Sequence, residues 1–294
     1  MIDWLLSYEN VIALILLNGI LGASVYLMLC VNRFSLATGG LVGLGAYVAV
    51  LATLHWELPF VVVLLLGTAV GALAALLLGS PVLRLEGDYF ALATLAFTEI
   101  VRVIALNWDD VTGGALGLGG IPAKTTVPLL AAVLLALLLV VALVRRSRHG
   151  RLLEATRQDE MPAQALGIDV ARVRLLSFVA SGAICGLAGG LLGHLNFFIG
   201  PNDFGLLRSL DALAYAVLGG LGHVAGPVLG AAVFTILPEA LRFSNQAREI
   251  LMSLILLGAV IFLPRGLLSL LAWRASWRLP RRQPDAGSVE VAAK

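Results

Sequence analysis

Apolar residues run along this chain in long uncharged blocks separated by short polar joints. Stretches without Asp, Glu, Lys or Arg cover residues 10–32, 34–56, 58–83, 125–144 and 175–202. Each suffices for a helix to cross the hydrocarbon core, which takes about 20 residues. Residues 89–106 also have the length but contain Glu99 and Arg102, and 212–238 is uncharged but broken by "GGLGHVAGP" (219–227). The last and shortest block is 250–264. None of the blocks alternates apolar with polar residues as a barrel strand must, so the spans are helical. The pattern predicts an all-α integral membrane protein, a polytopic bundle of about 8–10 spans. One of its elements is a broken or re-entrant hairpin near 211–238.

Composition agrees with the pattern. The chain has 294 residues, 60% of them hydrophobic and 13% charged, with a mean hydropathy of +0.96. Soluble domains carry about 25% charged residues, and a globule of this size must still wet a large surface. No polar stretch is long enough for a soluble domain, so residues 1–282 read as a single transmembrane domain with a disordered tail at 283–294. Cys30 and Cys185 lie inside apolar runs and read as small buried side chains. The start "MIDWLLSYEN" has two acids and no base, unlike a signal peptide, so the first span is expected to be retained.

Charge placement sets orientation. Of 20 Lys and Arg, seven fall in 145–174 and five in 265–282. Basic loops stay cytoplasmic, which places 145–174 inside, the loop at 107–126 outside and the N-terminus outside. The Arg-rich C-terminus reaches the cytoplasm if 212–238 forms a hairpin rather than one span. Residues 265–282, "RGLLSLLAWRASWRLPRR", fit an interfacial helix with Trp273 and Trp277 at headgroup level.

Most catalytic chemistry is excluded by what the chain lacks. It has no His-Glu-x-x-His, Cys-x-x-Cys or Gly-x-Ser-x-Gly, and its four His stand apart at 55, 149, 194 and 223. No metal or cofactor site is expected. The two lysines, Lys124 and Lys294, follow no glycine-rich loop, so a P-loop is absent. If ATP is used, a partner hydrolyses it. Glu99 and Arg102 share a helix face about 16 Å along the helix from Asp88, near mid-bilayer. Charge there is costly unless paired or hydrated; the two either line a polar pathway or form a self-satisfied pair that fixes packing. Asp211, at the start of the broken hairpin, and Tyr215 read as pathway lining or as simple helix-start capping. The glycines of 37–47 and 186–193 suit close helix packing. Thr112, Gly113 and Gly114 open a glycine-rich stretch at 112–122, read as an extended segment at the outer mouth or an ordinary turn.

One block, "GRLLEATRQDEMPAQALGID" (150–169), is conspicuously charged. Leu152, Leu153, Ala155, Met161, Ala163, Ala165 and Leu166 alternate with Arg151, Glu154, Arg157, Asp159 and Glu160. That mixture predicts two short helices, 152–159 and 162–166, with Pro162 in a first turn and Gly167 as a stop. Orientation alone needs a few Arg. Seven bases, four acids and an apolar stripe across 145–174 point instead to a docking surface for a partner.

The sequence resembles the M-type membrane subunits of ATP-binding-cassette importers of the branched-chain (LIV-type) amino acid family. The similarity rests on "SLATGGLVGLGAY" (35–47), "GDYFALATLAFTEIVR" (87–102), "TGGALGLGGIP" (112–122), "ALGIDVARVRLLSFVASGAICGLAGGL" (165–191), "VLGGLGHVAGPVLGA" (217–231), "LPEALR" (237–242) and "PRGLL" (264–268). The resemblance implies that 145–174 is the cytoplasmic coupling loop. Its ATPase-coupling residues would be Glu154, Ala155, Arg157, Asp159, Glu160, Ala163 and Gly167. The chain departs from the stricter importer motif at Met161-Pro162-Ala163, where Glu-Ala-Ala is usual, and at Glu154, where a base is expected. The implied partners are an H-type permease chain, two ATPase subunits that carry the ATP and Mg, and a periplasmic or extracellular binding protein docking near Asp109, Asp110, Asn202 and Asp203. The substrate would be a branched-chain or related amino acid, or else urea or a short amide, crossing a bacterial inner membrane. No nucleic acid is implied. An ATP-independent transporter and a non-transporting scaffold are the competing classes; the first would leave the 150–169 block without a purpose.

Overall fold

The computed structural model describes residues 2–85 and 87–240, with side chains for 9–85 and 87–239. The expected last span (250–264), interfacial helix (265–282) and tail (283–294) lie outside the described residues. The helices are α1 (Ile2–Leu29), α2 (Thr38–Trp56), α3 (Phe60–Val82), α4 (Asp88–Asn107), α5 (Asp109–Thr112), α6 (Val127–Arg146), α7 (Arg148–Gln158), α8 (Glu160–Ala165), α9 (Val170–Asn196), α10 (Leu206–Gly219) and α11 (Gly226–Ala240). Two short strands, β1 (Leu118–Gly119) and β2 (Phe198–Ile199), pair antiparallel.

Six of these helices, α1, α2, α3, α4, α6 and α9, are long and apolar enough to cross a membrane. The broken hairpin is α10, whose 14 residues fall short of the roughly 20 that a full span needs, followed by α11, described as far as Ala240. The structure shifts three expected boundaries. Residues 34–37 lie outside any helix, and α9 begins at Val170, so Arg172 and Arg174 lie within its first turns. Long basic side chains can keep their heads at an interface while their stems join a helix. Asp211 is the sixth residue of α10, whose N-cap is Gly205, so helix-start capping by Asp211 is ruled out.

Small residues decide which helices form the middle. A side chain on Gly45 would collide with the Gly186 backbone, one on Gly71 with the Gly182 carbonyl, and one on Gly189 with the Val42 carbonyl. Helix α9 is therefore clamped between α2 and α3 at near backbone contact, as the glycines at 37–47 and 186–193 suggest. Gly22 gives α1 the same approach to Tyr215 and Pro227, and α11 runs antiparallel to α1, with Asn18 Nδ2 donating to Thr235 Oγ1 at 3.0 Å. The spans of α1 and α2 are each 72% buried, against 22% for α3 and 17% for α6. Exposed Leu65, Leu77, Leu135 and Leu139 leave those outer faces suited to lipid.

The bundle has two unlike ends. Helices α7 and α8 and the joints at 30–33 and 83–87 form the basic end, where Arg33 Nη1 donates to the Leu85 carbonyl at 3.1 Å. The turn between α10 and α11 reaches this end too, since Gly222 lines a cleft with Arg145, Gly150 and Arg151. The β1–β2 ribbon and α5 mark the other end.

Gly186→Val should be strongly damaging, because the atoms it meets are backbone. Overpacking a closed contact costs about 1–3 kcal/mol and more when nothing can shift. Thermal unfolding in detergent is expected to show a large loss for Gly186→Val and almost none for Leu135→Ala on the outer face.

Candidate functional site

The non-helical stretch 33–37 carries the chain from the basic end into the bundle, where its backbone groups have no helix to satisfy them. Hydroxyls do it instead. Leu36 N–H donates to Thr94 Oγ1 at 3.0 Å, while Thr98 Oγ1 and Ser209 Oγ both donate to the Leu36 carbonyl, at 2.7 and 2.8 Å. The first turn of α2 is held in the same way, with Gly39 N–H on Ser209 Oγ at 2.9 Å and Gly40 N–H on Thr98 Oγ1 at 3.3 Å. Non-helical backbone at membrane depth survives only when protein satisfies it, and a helix start leaves unpaired N–H groups. Thr94, Thr98 and Ser209 are all fully buried. Thr98 lies ten residues along α4 from Asp88, about 15 Å.

Glu99 and Arg102 flank this point. Arg102 Nε meets Glu99 Oε2 at 2.7 Å, with both side chains about one-third exposed. The pair also bonds to its surroundings: Leu206 N–H donates to Glu99 Oε1 at 3.2 Å, and Arg102 Nη1 donates to Asn202 Oδ1 at 3.3 Å. The carboxylate thus sits on the N-terminus of α10, where helix dipole and orphan N–H groups favour an anion. Two helix starts, those of α2 and α10, meet α4 at mid-depth around one ion pair. Broken helices with N-termini at this level are a recurrent device for anionic substrates in transporters.

Asp211 and Tyr215 continue along α10 toward the basic end. Tyr215 is buried, and its ring meets Phe234 edge-on at 5.1 Å. Thr112, Gly113 and Gly114 do not join the mid-depth site. They sit at the ribbon end, where the Thr112 hydroxyl lies within hydrogen-bond distance of the Ala105 and Trp108 carbonyls and accepts from Gly114 N–H at 3.4 Å. Gly113 and Gly114 hold left-handed backbone there, packed on Asp109.

At the basic end the charged block folds as two helices, a turn earlier than expected at its start. Ser147 Oγ accepts from His149 N–H at 3.2 Å and caps α7. Asp159 ends α7 and caps α8, accepting from Met161 N–H at 3.0 Å. Pro162 is the third residue of α8, in the first turn, where a missing N–H costs nothing. Met161-Pro162 therefore belongs to the start of the second helix. The helix stops in a Schellman turn: Gly167, at φ +80, donates to Gln164 O at 2.9 Å and Ile168 donates to Ala163 O at 3.1 Å.

Of the expected coupling residues, Glu154, Asp159 and Gly167 are exposed, and Ala155, Arg157 and Glu160 are half-buried. Ala163 is buried against the bundle. Glu160 pairs with Arg174 of α9, whose side chain is 7% exposed. Arg145 at the end of α6 donates to the Tyr26 hydroxyl of α1. Met161 and Leu166 are 78% and 80% exposed, two large apolar side chains turned away from the bundle.

Sequence reasoning missed Thr94, Thr98 and Ser209. The threonines' spacing of four was the available signal, since i and i+4 share a helix face; Ser209 had none. It also missed Arg174 as the partner of Glu160, because fourteen residues separate them.

A helical bundle with a broken hairpin, an interior polar site and an amphipathic platform at one end defines a polytopic membrane protein of the permease type. The chain belongs to the family described as branched-chain amino acid transport system / permease component, whose model matches residues 7–263. It is 33% identical over 267 residues to the high-affinity branched-chain amino acid transport system permease protein LivM of Salmonella typhimurium, covering 79% of this chain and 63% of that one. Against LivM of Escherichia coli it is 32% identical over 293 residues, covering 88% and 66%. LivH of Escherichia coli is 34% identical over 137 residues, covering 46% and 44%. The match thus takes in just under two thirds of the LivM relatives' own length.

Thr98→Val should leave Gly40 N–H without a partner in a buried site and the Leu36 carbonyl with Ser209 Oγ alone, costing about 1–3 kcal/mol, whereas Thr98→Ser should be nearly neutral. Thermal unfolding of the two variants side by side is the check; equal stability would remove the role assigned to the hydroxyl.

Proposed function

We propose that this chain is a transmembrane permease subunit of an ATP-binding-cassette importer for branched-chain or related amino acids. It works with a second, H-type permease chain, two separate ATPase subunits that bind the ATP and Mg, and an extracytoplasmic binding protein. The basic end faces the cytoplasm of a bacterial inner membrane, and the N-terminus and β ribbon face outward. The single observation that carries the reading is the α7–α8 platform. It presents exposed Met161 and Leu166 while Glu160 fastens it to α9, as a lever pulled from outside requires. The chain itself performs no bond chemistry.

The outer docking surface for the binding protein comprises Asp109 and Asp110 with Asn202 and Asp203, beside the ribbon. The pathway runs past Glu99 and Arg102 to Asp211 and Tyr215, with Thr112, Gly113 and Gly114 shaping its outer mouth. ATP-driven closure of the ATPase pair moves the coupling helices and shifts a two-state equilibrium in the permease pair.

Reconstitution with the partner subunits should give leucine uptake that requires ATP on the platform side. Uptake by this chain without ATPase would overturn the importer reading. Met161→Asp and Leu166→Asp change only exposed side chains and are expected to lower ATPase co-purification by about tenfold or more, as loss of central interface anchors does. Unchanged co-purification would remove the platform's role.

A further inference from the structure

Among the described residues, three ion pairs close: Glu99–Arg102 at 2.7 Å, Asp169–Arg172 at 2.8 Å and Glu160–Arg174. The first two share a rule, with the acid three residues before the base. Side chains on a helix tilt toward its N-terminus, so a base placed after an acid leans back onto it. Helix α10 carries the same two chemistries in the opposite order, Arg208 before Asp211. Arg208 and Asp211 form no ion pair among the described residues, although the two remain close enough to act on one another electrostatically. Arg208 Nε and Nη2 are enclosed without any hydrogen-bond partner.

This open pair lies well along the bundle from its basic end, with both side chains half-buried. Arg208 is two residues beyond Leu206, whose N–H rests on Glu99. Tyr215, one turn past Asp211, packs on Gly22 of α1, seven residues from the end of that helix, or about 10 Å. Asp211 is thus about 16 Å from that end and Arg208 about 20 Å. A guanidinium and a carboxylate left unpaired at this depth are expensive, and the cost falls when a ligand supplies what each lacks.

We propose that Arg208 and Asp211 form the recognition site for the zwitterionic head of an α-amino acid. This rests on the importer reading above and deepens it. Arg208 takes the α-carboxylate and Asp211 the α-ammonium, while the edge-to-face Tyr215–Phe234 pair offers an apolar wall to the side chain. A zwitterion brings no net charge into the hydrocarbon region and answers both groups at once. Urea offers no carboxylate for Arg208, so the site favours amino acids over urea and short amides. Glu99–Arg102, already closed and bonded to Leu206 and Asn202, is the structural pair.

The test uses the complete reconstituted importer, with leucine as the probe. Arg208→Gln and the isosteric Asp211→Asn are each expected to lower ATP-driven leucine uptake about tenfold or more, in line with a lost charge-assisted hydrogen bond. Subunit assembly and binding-protein-stimulated ATPase should stay within about twofold of wild type. The decisive variant is the double exchange Arg208→Glu with Asp211→Arg. It restores the acid-first order and should close the pair as in Glu99–Arg102, leaving assembly intact and uptake lost. Wild-type uptake in the double exchange, or in both single variants, would overturn the proposal and leave the importer reading standing. A wild-type complex that imports no amino acid under ATP would overturn both.

Discussion

A membrane interior offers a polypeptide no water, and every backbone N–H and C=O placed there must find a protein partner. This constraint governs the middle of the molecule. The non-helical residues 33–37 and the starts of α2 and α10 would each leave groups unpaired. Thr94, Thr98, Ser209 and Glu99 pair them. Because each of these side chains belongs to a different element from the backbone it serves, α2, α4 and α10 are fixed to one another at a single depth. Removing regular structure from the bundle's interior creates polar surface there, and the same bonds that make it tolerable place an ion pair beside it.

Motion generated at the basic end has a continuous mechanical route to that point. The Schellman turn and the shared cap at Asp159 make α7 and α8 compact, and Glu160–Arg174 joins them to α9. Helix α9 lies against α2 and α3 with glycine facing backbone, so it cannot shift without carrying them. Helix α2 in turn rests on Ser209 and Thr98. The route thus runs from the platform through α9 and α2 to the start of α10, where the proposed amino acid site begins.

Much of this was legible in the sequence. Uncharged blocks of about 20 residues gave the spans, "GGLGHVAGP" gave the broken hairpin, and the mixed 150–169 block gave two short helices with Pro162 in a first turn and Gly167 as the stop. Other features were hidden for physical reasons. Residues 34–37 are as apolar as the helix they precede, so hydropathy could not tell irregular chain from span. Arg172 and Arg174 looked like loop charges because charge counting marks a boundary where a helix does not end. Glu99 and Arg102 could be read as neighbours, but their bonds to Leu206 and Asn202 cross about a hundred residues of chain. The contrast between a closed acid-first pair and an open base-first pair needed both helices in view.

The central claim, that this chain is a lever coupled to a site, is tested most directly by the ratio of leucine imported to ATP hydrolysed after Glu160→Gln in the proposed importer complex. The substitution removes the charge that ties α8 to Arg174 while leaving Met161 and Leu166 free to dock. The account predicts that ATPase subunits still bind and hydrolyse ATP while import per ATP falls severalfold. An unchanged ratio would show that the platform drives the bundle by some other connection and would contradict the account.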